Sequence, residues 1–150
     1  YIDTEGGFSI ERIKQISLDN YEAVLKNIIL LKPTNFEEQK EAFKSILKNL
    51  KKEVSLIIVD GMTILYRLDF AEARDNSKNP NDFQRINAQL AFQMKTLAEI
   101  ARKREIPVLV TAQAYKWDEE NKLVGGDILK YWGKCLIELS NENNKRTARL

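Results

Sequence analysis

The chain has 150 residues, 43% hydrophobic and 31% charged, enough for one domain that buries roughly 70% of its unfolded surface. Its 24 basic and 22 acidic side chains leave a net charge of +2, too balanced to argue for nucleic acid from electrostatics alone. The absence of histidine excludes a Ser-His-Asp triad, a His-based zinc site and imidazole acid-base chemistry. Catalysis would have to use carboxylates, amides, Lys or Arg, backbone groups or a bound ion.

No apolar run approaches the ~20 residues of a membrane helix, and the single cysteine, Cys135, cannot form an internal disulfide. Both suit a cytoplasmic protein away from membranes. The Lys, Glu and Ile bias is a weak hint of a heat-adapted source. Tyr1 is not an initiator Met and the chain ends on Arg149-Leu150, so a segment of a longer protein, truncated at both ends, is expected.

Tyr1-Ile2-Asp3 reads as the tail of a strand, followed by the turn Thr4-Glu5-Gly6-Gly7. Ser9 is placed to cap a helix carrying Ile10, Ile13 and Ile16 on one face. A short helical stretch holds Tyr21, Val24 and Leu25, and Ile28 to Leu31 reads as a buried strand stopped by Lys32-Pro33. Asn35 and Glu38 have capping-box spacing before a helix with Phe43, Ile46, Leu47 and Leu50 on one face. Val54 to Asp60 is nearly all apolar, the pattern of a parallel strand covered on both faces. Ile64 to Leu68 begins another helix, residues 70 to 79 read as loop, and Asn79 with Pro80 opens a long helix. That helix carries Phe83, Ile86, Leu90, Met94, Leu97 and Ala101 and closes on Arg102-Lys103-Arg104, cations that complement a helix C-terminus.

Pro107 to Thr111 is the next strand, and the segment after it, with Gly125-Gly126, reads as a polar loop. Cys135 to Ser140 alternate as a strand, Asn141 to Asn144 turn, and Arg146 to Leu150 return. No linker or repeat divides the sequence, so residues 1–150 read as a single domain. The order predicts an α/β fold: a mostly parallel sheet flanked by helices, with a C-terminal antiparallel hairpin.

Ligands of open α/β sheets bind beyond the carboxyl ends of the strands. Three strands end in polar residues there: Glu5, Asp60 and Gln113. An Asp after an apolar strand can hold Mg²⁺, a neighbouring Glu can take a proton from water, and a Gln amide can contact a terminal phosphate. Each has a plainer alternative: Asp60 as a helix N-cap, Glu5 as solvated surface, Gln113 as partner to a backbone group. No window fits the phosphate-binding G-x-x-x-x-G-K-[ST]. Gly133-Lys134 is the sole Gly-Lys pair, but Ile128 lies five before it and Cys135 follows. Either no nucleotide is bound or that element precedes Tyr1, and the second fits a chain that starts inside a strand.

Tyr1-Ile2-Asp3-Thr4-Glu5-Gly6-Gly7-Phe8 with Glu11-Arg12, then Leu56 to Arg67, Val110-Thr111-Ala112-Gln113 and Gly125 to Leu129 occur in the order found in RecA/RadA-type recombinases. The chain resembles that family along essentially its whole length. The short loop after Gln113 makes it most similar to the archaeal paralogues that lack the N-terminal domain. The resemblance implies a RecA-like P-loop NTPase core that uses ATP and Mg²⁺, takes part in DNA recombination and repair, and is cytoplasmic and nucleoid-associated. Glu5 would be the water-activating carboxylate, Asp60 the Walker B residue that holds Mg²⁺, and Gln113 the γ-phosphate sensor.

DNA, single-stranded and also double-stranded, would be met by loops near Phe70 to Asn79 and Ala114 to Val124. The contacts implied are Arg85, Tyr115, Lys116, Trp117, Lys122, Gly125 and Gly126. A RadA-type recombinase and self-association are the implied protein partners. The chain departs from the family in having Gly61 where Ser is usual and Ala112 where Asn is usual. Its second loop sets Asp118, Glu119 and Glu120 against Lys116 and Lys122, without the excess of cations that phosphate neutralisation needs. That favours weak hydrolysis, or a nucleotide-gated regulatory module without turnover, over DNA-dependent strand exchange. Without the missing phosphate loop, residues 1–150 alone are expected to bind ATP poorly.

Overall fold

The computed structural model describes residues 1–76, 79, 81–117, 120–142 and 145–150. Its centre is a parallel sheet in the order β1 (Ile2–Asp3), β2 (Ile57–Asp60), β3 (Val108–Val110). Ile2 pairs with Val59, Asp3 with Asp60, and Val59 with Val110, so the three strands end level. The helices are α1 (Ile10–Ser17), α2 (Tyr21–Lys26), α3 (Phe36–Asn49), α4 (Ile64–Asn76), α5 (Asp82–Arg104) and α6 (Gly126–Trp132). Two antiparallel hairpins, β4 (Ala114–Trp117) with β5 (Glu120–Leu123) and β6 (Glu138–Glu142) with β7 (Lys145–Arg149), form separate small sheets. No helix among the described residues is long and apolar enough to cross a membrane.

One face of the central sheet carries the core. Ile2, Ile57 and Val59 are buried together with Phe36 and Phe43 of α3, Leu65 of α4, and Ile86, Leu90 and Leu97 of α5. On the opposite face Leu56 and Leu109 are about half exposed, at 48% and 53%. Cover on both faces of β2, expected from its apolar run, is therefore met on one face only within the described residues. Alternation puts only Ile57 and Val59 onto the helices.

The long helices follow their sequence signals. Asn35 Oδ1 accepts the Glu38 N–H at 2.8 Å, and Glu38 reaches back to the Thr34 N–H at 2.8 Å. Asn35→Ala is expected to cost about 1 kcal/mol, read from urea unfolding midpoints. Ser9 likewise caps α1, accepting the Arg12 N–H at 3.2 Å, although Ile10 and Ile16 of its apolar stripe stay exposed. At the basic end of α5, Arg104 donates to the Leu50 carbonyl at the end of α3 at 3.3 Å, and Lys103 lies 3.7 Å from Glu99 one turn back.

Several boundaries differ from expectation. Residues 70–76 are not loop but the second half of α4. The Phe70 ring lies 5.8 Å from Tyr66 and 4.7 Å from Phe83 of α5, and this packing outweighs the polar composition around it. Helix α5 begins at Asp82 rather than beside Pro80. Asn79 makes a turn ahead of it, its carbonyl accepting the Asp82 N–H at 3.1 Å, and Pro80 lies outside the described residues. The strand expected at 28–31 reduces to one bridge, Leu31 to Ile2, because Ile28 still hydrogen-bonds back to Leu25 at the end of α2.

The segment after Gln113 is no loop either. Ala114 pairs with Leu123 and Tyr115 with Lys122 in the β4–β5 hairpin, after which Gly125 opens α6. Aromatic strand formers and the packing of Leu123 and Val124 on the core account for it. Asp118 and Glu119 lie outside the described residues. Strand β6 starts at Glu138 instead of Cys135, since the chain first closes α6 through the Gly133 N–H on Leu129 at 2.8 Å. It runs on to Glu142, so Asn141 and Glu142 of the turn expected at 141–144 are strand, and Asn143 and Asn144 lie outside the described residues.

Candidate functional site

The level strand ends bring Asp3, Asp60 and Thr111 to one rim, from which Thr4-Glu5, Gly61 and Ala112-Gln113 leave the sheet. Backbone bonds knit this rim: Thr4 N–H to Asp60 O at 3.1 Å and Met62 N–H to Thr111 O at 2.9 Å. The Thr4 hydroxyl reaches the carbonyls of Asp60 and Gly61 at 2.9 and 2.7 Å. Behind the rim the buried Gln39 amide donates to Met62 O at 3.2 Å and to Gln93 Oε1 at 2.7 Å, supporting the turn after β2 from α3 and α5.

Asp60 does not cap α4. Its Oδ2 accepts the Tyr1 hydroxyl at 2.6 Å and its Oδ1 the Thr111 hydroxyl at 2.8 Å. Burial, and then the hydrogen bond to this carboxylate, push the Tyr1 phenol well above its ordinary pKa, so it stays a donor throughout the physiological range. Glu5 leans directly over the neighbouring residue. A Cβ on Gly61 would stand 2.6 Å from Glu5 Cγ and 2.9 Å from Glu5 Oε1. Gly61, with φ +85°, thus leaves room for the Glu5 side chain beside Asp60.

The turn that carries Glu5 hangs on Asp3, which is 2% exposed. Its carboxylate accepts three backbone N–H groups, from Gly6 at 2.7 Å, Gly7 at 3.1 Å and Phe8 at 3.0 Å. Gln113 is half-buried just past β3, and its carbonyl accepts the Val124 N–H at 2.9 Å. That bond joins the rim to the far end of the β4–β5 hairpin. Tyr1, Asp3, Thr4 and Thr111 were not singled out from the sequence. Only Asp3 had a local signal, an Asp three residues before the Gly6-Gly7 pair of a turn.

The residues expected to meet DNA divide between the β4–β5 hairpin, the start of α6 and a cleft between α4 and α5. Tyr115 and Lys122 are cross-strand partners, both exposed; Lys116 and Trp117 continue β4 opposite Asn121 and Glu120. Gly125 packs: a Cβ there would come within 2.7 Å of Leu129 and 3.0 Å of Leu90, whereas Gly126 faces open space. Arg85 opens onto a cleft of about 300 Å³ between α4 and α5, lined also by Asp69, Glu72 and Asp82, and lies 3.5 Å from Asp82. Burial and the nearby Glu72 raise the Asp69 pKa. This surrounding of carboxylates opposes phosphate at Arg85.

Comparison with known proteins agrees with this architecture. The DNA repair and recombination protein RadB of Methanococcus maripaludis strain C7 is 41% identical over the whole chain, which covers 66% of that protein. The protein of the same name from Methanocaldococcus jannaschii is 39% identical, with 68% of its length covered. The chain therefore spans about two thirds of the length of the curated relatives it matches. The crystal structure of the RadB recombinase superposes with a TM-score of 0.73 at 32% identity, covering 99% of this chain and 66% of that one. The α/β core is thus RecA-like, and with the Rad51 family model matching residues 1–147, the chain belongs to the Rad51 family.

Proposed function

We propose that residues 1–150 form one ATPase-core domain of a Rad51-family recombinase paralogue that binds ATP and DNA and takes part in homologous recombination and DNA repair. The observation that carries this reading is the rim itself: Glu5 lies over Gly61, beside Asp60, while Gln113 leaves the adjacent strand. The relatives' names, DNA repair and recombination protein RadB, point the same way.

Mg²⁺ commonly binds through one or two carboxylates and the substrate's own phosphates rather than in an all-protein cage. The rim suits that mode. Among the described residues no cluster of three ligating side chains exists, and Asp60 presents a single oriented carboxylate. Bound there, the ion would neutralise charge on the phosphates. Glu5 would accept a proton from water, and Gln113 would contact the terminal phosphate. The Gln113 carbonyl bond to Val124 would pass its presence to the hairpin bearing Tyr115, Lys116, Trp117 and Lys122.

The sequence balance of Asp118, Glu119 and Glu120 against Lys116 and Lys122 supports weak turnover over full strand exchange. The acidic cleft around Arg85 favours, as a second reading, a nucleotide-gated module that meets a protein such as a RadA-type recombinase or a second copy. The test is ATP hydrolysis by the full-length protein with and without single-stranded DNA. Slow hydrolysis that Glu5→Gln lowers by about 10²-fold or more is expected, with ATP binding retained. Unchanged hydrolysis in Glu5→Gln removes Glu5 from the chemistry. ATP binding with no hydrolysis, whether or not single-stranded DNA is present, selects the second reading.

A further inference from the structure

The carboxylate of Asp60 is gripped by two hydroxyls from the strands on either side of it. Tyr1, leading into β1, donates to Oδ2 at 2.6 Å, and Thr111, just past β3, donates to Oδ1 at 2.8 Å. The same Thr111 oxygen accepts the Gly61 N–H at 2.8 Å, so its single proton is committed to Asp60. The Tyr1 ring is steadied by an edge contact with Phe8, ring centroids 5.2 Å apart. Both donors are neutral, and among the described residues no Lys or Arg pairs with Asp60.

A carboxylate's terminal torsion is soft, and an unrestrained one would lose rotational freedom on meeting a metal ion's waters. A Lys or Arg partner would fix the torsion but cancel the charge. Two hydroxyls fix it and leave the negative charge intact, each oxygen keeping a lone pair for a further donor. We propose that Tyr1 and Thr111 are positioning residues for divalent metal: they hold the Asp60 carboxylate in the one orientation that receives the hydrated Mg²⁺ of a bound Mg-nucleotide. Neither touches the nucleotide. The inference rests on the ATP reading above.

The test is a Mg²⁺ titration of fluorescent ATP-analogue binding by the full-length protein, repeated in EDTA. Tyr1→Phe and Thr111→Val should each raise the Mg²⁺ midpoint by about tenfold, with affinity in EDTA unchanged. Thr111→Ser, which keeps the hydroxyl, should restore the native midpoint. A purely structural role would lower the melting temperature and both affinities together, and that result overturns the proposal. So does a native midpoint in Tyr1→Phe, or a Thr111→Ser shift equal to that of Thr111→Val. If Thr111→Val does not fold, Tyr1→Phe decides alone. Wild-type protein whose nucleotide binding ignores Mg²⁺ overturns the ATP site itself; Mg²⁺-dependent wild type with unshifted variants overturns the clamp only.

Discussion

Replacing Asp3 by Ala is expected to lower stability by about 3–5 kcal/mol, the largest effect of any single change at the rim. Hydrogen bonds to a charged acceptor contribute about 1.5–3 kcal/mol each, and Asp3 accepts three backbone N–H groups within 3.1 Å. They share one acceptor group, so their contributions do not simply add. Alanine leaves Gly6, Gly7 and Phe8 without that acceptor, and the turn holding Glu5 loosens. Asp3→Asn separates the terms. Its remaining oxygen can still serve Gly6 and Gly7, but its amide nitrogen cannot accept from Phe8, so a smaller loss of about 1.5–3 kcal/mol is expected. Denaturant unfolding of the three proteins checks both values. Equal stability of the Ala and Asn variants would mean that the Gly6 and Gly7 bonds contribute nothing.

Gly61→Ala is expected to cost about 2–4 kcal/mol, from two sources. A Cβ at φ +85° brings strain of about 1–2 kcal/mol. Overlap with Thr4 Oγ1 at 2.5 Å and Glu5 Cγ at 2.6 Å adds about 1–3 kcal/mol of overpacking. Gly6→Ala is the control. Its φ is +74°, but nothing lies within 4 Å of an added Cβ, so only the strain should appear. The difference between the two variants, measured by denaturant unfolding, isolates the crowding. Adding Glu5→Ala to Gly61→Ala should recover part of that difference, because the Glu5 contacts go while Thr4 remains. If Gly61→Ala and Gly6→Ala are equally destabilised, Glu5 does not lean on Gly61 in solution.

The two predictions concern residues with different visibility in the sequence. Asp3 before Gly6-Gly7 is a local pattern, readable once a turn is suspected. The crowding at Gly61 involves Thr4 and Glu5, more than fifty positions away in the chain, and no local pattern encodes it. The departure from the family's usual Ser was visible, but its physical sense was not. Helix α4 shows the same limit. Its second half, residues 70–76, is polar enough to read as loop, and the packing of Phe70 against Tyr66 and Phe83 holds it as helix. The hairpin after Gln113 was hidden likewise, because alternation over four residues is too short to separate from a loop.

What the sequence alone determined is the class of fold, helices α3 and α5, the Asn35 and Ser9 caps, the central apolar strands, and the polar residues at three strand ends. All rest on periodicity or on contacts within one turn of chain, which neighbouring residues specify by themselves. Tertiary structure alone decided that those strands lie side by side with level ends, so that Glu5 leans over Gly61 and the hydroxyls of Tyr1 and Thr111 meet the Asp60 carboxylate. Those arrangements join residues fifty or more positions apart. They depend on strand order and register, which burial of Ile2, Ile57 and Val59 against α3, α4 and α5 selects.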